Sequence, residues 1–227
     1  MKLISVVTPA LNEEKAIGKV IDEIKSTKKQ LKKMGYDLEI IVVDGKSKDK
    51  TGKIAKKKGA RVLSSERGYG LQYRNGFEAA KGEIIVTGDS DMTYPFFDIP
   101  RLVNILEKDK LEFITCNRFA NLKKGSMSIS HHLANWGFTK MMNILFLKNI
   151  KDSQSGMWVF KKEILKKINL KTKGMPFSLE IKIEAITKTK SKEVSITYRK
   201  RIGEIKLQPI RDGLKDIIYL IYKRVTF

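Results

Sequence analysis

The chain is expected to fold as an α/β domain built on a doubly wound, mostly parallel sheet, closed by a C-terminal amphipathic helix. Three observations predict this. Strand-like and helix-like segments alternate through the first half of the sequence, the pattern of βαβ units. The strand-like runs are short and continuously apolar, as in strands buried on both faces. Polar residues able to do chemistry follow those strands directly, at the sheet edge where ligands bind in such folds.

The elements read in order as follows. Leu3 to Thr8 is a β-rich run that stops at Pro9, and a long helical pattern follows with Ile17, Val20, Ile21, Ile24 and Leu31 on one face. Glu39 to Val43 is the next strand, and a basic helix starts at Asp49-Lys50-Thr51 and ends at Gly59. Arg61 to Leu63 is a third strand, Leu71 to Ala80 a helix ended by Gly82, and Glu83 to Thr87 a fourth strand. A helix over Ile99 to Lys108 leads into a strand over Glu112 to Cys116. The second half is less regular. It holds an amphipathic helix over His131 to Leu147, a loop over Asp152 to Gly156, and the apolar run Met157 to Phe160. A helix over Phe177 to Thr187 and a strand over Glu193 to Tyr198 follow. The tail from Pro209 to Val225 reads as a helix with Ile210, Leu214, Ile217, Ile218 and Ile221 on one side. Two readings of it stay open: a helix lying in a membrane interface, or a core helix packed on the sheet. The division expected is 1–208 for the catalytic domain and 209–227 for this helix.

Composition bounds the rest. The 227 residues are 41% hydrophobic, enough for one substantial core, and no linker, repeat or low-complexity tract divides them. Lys and Arg number 46 against 25 Asp and Glu, a net charge of +21. Such a balance draws polyanions of any kind, although a lysine-rich solvated surface produces it too. Against nucleic acid as the partner, there is no basic strand interleaved with aromatics and no helix-turn-helix pattern. Cys116 is the one cysteine, so no intramolecular disulfide forms, and a reducing, cytoplasmic setting is expected. Met1 to Ala10 reads as a strand and not as a signal peptide. No apolar run nears the roughly 20 residues of a spanning helix; the longest near the C-terminus is Ile217 to Tyr222.

The sharpest chemical signal is Gly88-Asp89-Ser90-Asp91 after the fourth strand. Two carboxylates one residue apart on a turn can converge on a hard cation, Mg²⁺ or Mn²⁺, whose shell substrate phosphates complete. The bland reading is a capped turn with solvated acids. The second signal is the loop Pro9-Ala10-Leu11-Asn12-Glu13-Glu14, which would lie against a nucleoside; Asn12 or Glu13 could equally cap the next helix. Asp44 leaves the second strand where a carboxylate can accept from a base N–H, while Ser47 and Asp49 read as helix caps. Gly68-Tyr69-Gly70 opens a helix whose amides could meet phosphate, or simply starts it. Glu180 and Glu184 are candidate general bases should the acceptor be a hydroxyl, or else a solvated helix face.

In their order these stretches resemble family 2 glycosyltransferases, most closely the polyprenyl-phosphate (dolichyl-phosphate) sugar transferases. The matching runs are Val7-Thr8-Pro9 with Asn12-Glu13-Glu14; Val42-Val43-Asp44 with Ser47, Asp49 and Thr51; Gly68-Tyr69-Gly70 with Arg74 and Gly76; and Asp89-Ser90-Asp91 with Pro95. Asn117-Arg118-Phe119, Asp152 to Gly156 and Arg201 to Leu207 complete the series. The resemblance implies a GT-A fold and an inverting, metal-dependent transfer of a hexosyl or N-acetylhexosaminyl group. The donor would be a UDP- or GDP-sugar, and the acceptor a polyprenyl (dolichyl) phosphate. It implies that Pro9, Leu11, Glu13 and Asp44 surround base and ribose, with Asp89, Ser90 and Arg201 also on the nucleotide side. Asp89 and Asp91 would hold the metal. Asp91, Arg118 and Gln154 would serve the transfer itself, Arg118 at the acceptor phosphate. The sequence departs from the family at Gly45, where a second Asp is usual, and at Thr93, where a Gln often follows the carboxylate pair. A hydroxyl-bearing sugar or glycolipid is the alternative acceptor. The enzyme would sit peripherally on the cytoplasmic face of the membrane.

Overall fold

The computed structural model describes residues 1–204 and 209–226. Positions 205–208 of the last motif lie outside the described residues, as does the Ile210 side chain. The strands are β1 (Lys2–Ala10), β2 (Tyr36–Asp44), β3 (Arg61–Ser64), β4 (Ile84–Thr87), β5 (Phe113–Leu122), β6 (Trp158–Lys161) and β7 (Ser191–Tyr198). They form one sheet in the order β3-β2-β1-β4-β6-β5-β7. β1 to β4 run parallel, β6 is antiparallel to both its neighbours, and β7 is parallel to β5. The chain turns outward from β1 to β2 and β3, then returns to β4 on the other side. The crevice between the ends of β1 and β4 is therefore the switch point, where ligands bind in open α/β sheets.

The helices are α1 (Ile17–Ser26), α2 (Lys28–Lys33), α3 (Thr51–Lys57), α4 (Tyr69–Ala79), α5 (Ile99–Lys108), α6 (Ile129–Phe146), α7 (Phe177–Lys188) and α8 (Pro209–Thr226). The apolar strands are buried on both faces, as their continuous hydrophobicity predicts. Ile4, Val6, Val42 and Val86 meet Ile17, Val20, Ile21 and Leu102 on one face. Val7, Ile41, Val43 and Ile85 meet Tyr73, Phe77 and Phe177 on the other. Each fully buried aliphatic side chain contributes roughly 1.5–3 kcal/mol.

Three local readings change. The single long helix after β1 breaks at Thr27, whose hydroxyl donates back to the Ile24 carbonyl at 2.7 Å, a bond that bends helices. β5 does not end at Cys116 but runs to Leu122, held by β7 through a register shift between Asn117 and Asn121. Arg118 therefore sits within the strand and not after it. The glycines of α4 serve packing. A Cβ on Gly76 would collide with Val7 of β1, and one on Gly70 with the Thr172 carbonyl.

The C-terminal helix has two different faces, and its inward one packs on two other helices. Leu220 is buried with Met142 and Phe146 of α6 and Leu179 and Ile183 of α7, and Lys223 pairs with Glu184. On the outward face Leu214, Ile218, Ile221 and Val225 are exposed.

Candidate active site

The first two loops at the sheet edge are stitched to each other. Asn12, in the left-handed region at φ 51°, accepts from Lys48 N–H at 2.7 Å and donates its own N–H to Ser47 Oγ at 2.9 Å. Glu13 N–H donates to Thr51 Oγ1 at 2.7 Å, and Glu14 N–H to Asp49 at 3.1 Å. The expected caps divide accordingly. Asp49 does cap α3, accepting from Thr51 N–H at 2.9 Å. Ser47 instead serves Asn12, and no side chain caps α1, which begins after Ala16. Leu11, Asn12, Glu13, Asp49, Arg67 and Gly203 line a cleft of about 320 Å³ beside these loops.

Asp44 ends β2 as expected. One carboxylate oxygen accepts from Ser47 N–H at 2.9 Å, and the other lies against Gly52, where any side chain would crowd it. If Asp44 binds the base, Asp44→Ala weakens UDP or GDP by about 1.5–3 kcal/mol, the loss expected for a charged hydrogen-bonding partner. Isothermal calorimetry checks this, and unchanged affinity for both nucleotides removes Asp44 from the site.

The carboxylate pair sits at the end of β4, beside the end of β1. Ser90 ties the two edges, donating its hydroxyl to the Pro9 carbonyl at 2.8 Å. Met92 adopts φ 71°, a conformation uncommon outside glycine and frequent where structure is strained for function. Asp89 accepts from the Tyr69 hydroxyl at 3.1 Å. Burial, and then the neighbouring charge of Asp91, push its carboxyl up to about 7. Asp91 is 4% exposed. Its Oδ1 accepts from Thr93 N–H at 3.0 Å and Thr93 Oγ1 at 2.6 Å, and its Oδ2 pairs with Arg201 at 2.9 Å. Thr93 therefore positions Asp91. Arg201 also pairs with Glu13, so Glu13, Asp91 and Arg201 form one cluster spanning the ends of β1 and β4.

Among the described residues no three of His, Cys, Asp and Glu gather into a ready-made metal cage. The donor set still fits Mg²⁺ or Mn²⁺, which take one or two carboxylates and complete their shell with substrate phosphates and water. Two acids forced together, one of them raised toward neutrality, is the electrostatic condition that a divalent cation offsets.

Arg118 departs from its expected place. It is buried, and its guanidinium forks onto Asp152 at 2.8 and 2.9 Å, while its backbone N–H adds a third bond to Asp152 at 2.9 Å. In this arrangement Arg118 holds the 152–156 loop through Asp152, the bland reading of an arginine at this position. Lys182, fully buried, donates to the Asp152 carbonyl at 2.8 Å. Glu193 accepts the Lys151 and Asp152 N–H groups. The far end of the loop, Gly156, donates to the Tyr94 hydroxyl at 2.6 Å and packs beside Asp89. Gln154 lies between these anchors.

Two further expectations fail. The opening of α4 is not an anion site, since Leu71 N–H already donates to the Lys173 carbonyl at 3.1 Å and a Cβ on Gly68 would meet the same oxygen. Glu180 and Glu184 are neither solvated nor free bases. Both are buried; Glu180 accepts the Lys171 and Thr172 N–H groups, and Glu184 that of Asn169 and two lysines.

The sheet order, with a carboxylate pair at the switch point, defines a GT-A-type glycosyltransferase fold. The family model for glycosyl transferase family 2 matches residues 5–169, and the chain belongs to that family. It is 33% identical over 96% of its length to the low-salt glycan biosynthesis hexosyltransferase Agl6 of Haloferax volcanii, and spans 53% of that protein. It is 31% identical to a dolichyl-phosphate hexose transferase of the same organism, covering 92% of this chain and 89% of that one. The human dolichyl-phosphate beta-glucosyltransferase is 30% identical over 99% of this chain and 76% of its own length. Glucosyl-3-phosphoglycerate synthase of Mycobacterium tuberculosis, solved with Mn²⁺ and UDP, shares the fold. It aligns with a TM-score of 0.76 at 23% identity, over 98% of this chain and 80% of that one.

Proposed function

We propose that the chain moves a hexosyl group, with inversion, from a UDP- or GDP-sugar to a polyprenyl (dolichyl) phosphate at the cytoplasmic face of a membrane. What carries the reading is the Glu13–Arg201–Asp91 cluster beside Asp89 at the switch point, in a chain whose near-full-length relatives are named as dolichyl-phosphate hexose enzymes. A phosphate oxygen of the acceptor attacks the anomeric carbon, the bond from that carbon to the diphosphate oxygen breaks, and the nucleoside diphosphate leaves. The acceptor is already an anion near neutral pH, its second pKa being about 6, and so requires no general base. The tied-up state of Glu180 and Glu184 supports this acceptor over a hydroxyl.

Asp89 and Asp91 would hold the cation, which supplies charge neutralisation of the leaving diphosphate. Arg201, paired here with Asp91 and Glu13, would serve the same phosphates, and Pro9, Leu11, Glu13 and Asp44 would face the nucleoside. The membrane part of the reading is supported by apolar side chains exposed on both α6 and α8, among them Ile129, Leu133, Trp136, Leu214, Ile218 and Ile221. Lys140, Lys215 and Arg224 lie on the same two helices, each worth about 1 kcal/mol near an anionic surface. Among the described residues no helix is long and apolar enough to cross a bilayer.

The test offers radiolabelled UDP-glucose, UDP-N-acetylglucosamine and GDP-mannose, with Mg²⁺ or Mn²⁺, to dolichyl phosphate in phosphatidylserine vesicles. Lipid-linked label from at least one donor is expected, with the protein sedimenting with the vesicles. Transfer only to sugar hydroxyls sinks the phosphate acceptor, and protein left in the supernatant sinks the membrane reading.

A further inference from the structure

Asp216 is a buried carboxylate that the chemistry above does not use. It lies on the inward face of α8, 7% exposed. Its Oδ2 accepts from Gln154 Nε2 at 3.1 Å. Its Oδ1 is buried without a partner among the described residues. The helix is held in place by other means, through Leu220 in the α6–α7 cluster and through the Lys223–Glu184 pair.

The backbone of the loop on the other side of this bond is pinned at both ends and at Ser153, which accepts from the Thr139 hydroxyl at 2.9 Å and donates its N–H to the same oxygen at 3.0 Å, so what the loop itself leaves unheld is the Gln154 side chain. Arg118 and Lys182 fix Asp152, and Tyr94 fixes Gly156 beside Asp89. Among the described residues, Asp216 is the single hydrogen-bonding partner recorded for the Gln154 side chain. An unheld glutamine populates several rotamers, whereas one N–H committed to a carboxylate fixes the amide plane and directs its second N–H and its carbonyl.

We propose that Asp216 is a positioning residue of the acceptor site, holding the Gln154 amide so that its second N–H meets the incoming phosphate. The claim rests on the reading of the chain as a polyprenyl-phosphate transferase. It makes α8 part of the site, through a contact between residues 62 apart in sequence. The cost of Asp216 to the fold supports a functional reason for it. Burial, opposed by the Gln154 bond and assisted by Asp212, pushes its carboxyl up to about 7. A folded-state value above the unfolded one means that the ionised form subtracts stability as pH rises past about 4 and on toward 7. A group kept at such a cost, with one oxygen unspent, is characteristic of functional sites.

The test compares Asp216→Leu, Asp216→Asn, Gln154→Ala and the double variant Asp216→Leu/Gln154→Ala in the full chain. Dolichyl phosphate is the acceptor, and UDP with Mn²⁺ is the donor-side probe. Asp216→Leu and Gln154→Ala should each raise the acceptor KM about tenfold, with the double variant no worse than either. Asp216→Asn, which retains an acceptor oxygen, should stay within about threefold of wild type. UDP affinity should hold within about twofold, and Asp216→Leu should melt no lower than wild type, since a buried unpaired carboxylate is replaced by packing. In an NMR spectrum of isotope-labelled glutamine, the Gln154 side-chain amide should move in Asp216→Leu and stay in Asp216→Asn. A wild-type KM in Asp216→Leu overturns the proposal. So does a joint fall in melting temperature and UDP affinity, which marks a purely structural residue. If the wild type is inactive on dolichyl phosphate, the function reading fails by itself, and an unmoved Gln154 amide then overturns the positioning claim independently.

Discussion

Asp89→Asn and Asp91→Asn should each cut sugar transfer by at least about 100-fold, the scale seen when one preorganised electrostatic contact to a developing charge is removed. The argument is geometric. Both carboxylates stand at the end of β4, and Asp91 is oriented by two bonds from Thr93 and neutralised by Arg201. An amide keeps the shape and the Thr93 bonds through its oxygen but loses the charge that a divalent cation requires. The fold should survive. Asp89 is an acid pushed up to about 7 by burial and by Asp91, so Asp89→Asn relieves repulsion in the metal-free protein, while in Asp91→Asn the Arg201 guanidinium keeps its pair with Glu13. The measurements are transfer rates with and without EDTA, and melting temperatures in EDTA. EDTA should reproduce the loss in the wild type and add nothing in the variants. Full activity of either variant in EDTA rules out the metal role.

Arg118→Ala should destabilise the protein by about 3–5 kcal/mol, because it leaves Asp152 charged and buried without its partner. The melting temperature should fall by roughly 10 °C, at the 2–4 °C per kcal/mol typical of this chain length. Arg118→Lys keeps the charge but not the bidentate fork, and should fall part of the way. The pair also predicts an acid limit. Burial would raise the Asp152 carboxyl, but Arg118 and Lys182 overcome it and hold the group down at about 2. A folded-state value below the unfolded one, about 3.9, stabilises the protein above pH 4. That stabilisation, roughly 2–3 kcal/mol, is lost as pH falls toward 2. Urea melts of wild type and Arg118→Ala at pH 7 and at pH 3 check both effects. The gap between the two proteins should shrink in acid. An Arg118→Lys variant with wild-type stability and a raised acceptor KM would restore Arg118 to the phosphate.

Which parts were legible in the sequence follows from the range of the forces involved. Strands buried on both faces announce themselves as short apolar runs, so β1, β2 and β4 were readable, and with them the strand ends carrying Asp44 and Asp89. Periodicity likewise placed α5 and α8. The break at Thr27 was less visible, because one side-chain bond decided it against an unbroken helical pattern. Gly68 and Gly70 at the opening of α4 read as neighbours of a phosphate because glycine marks close approach of any kind. What approaches them is the backbone at Thr172 and Lys173.

By itself the sequence determined the α/β class, the strand ends as the place of chemistry, and the carboxylate pair, all of which depend on residues close together in the chain. Tertiary structure alone decided what each polar side chain is committed to. Arg118 is spent on Asp152, 34 residues away. Glu180 and Glu184 are turned inward onto backbone amides. Arg201 closes on Asp91 and Glu13, and Asp216 reaches Gln154 across the packing of α8. A charge inside a protein takes whichever counter-charge or hydrogen bond the fold brings within reach, since leaving it alone costs several kcal/mol, and that partner is chosen by packing that no local pattern of residues records.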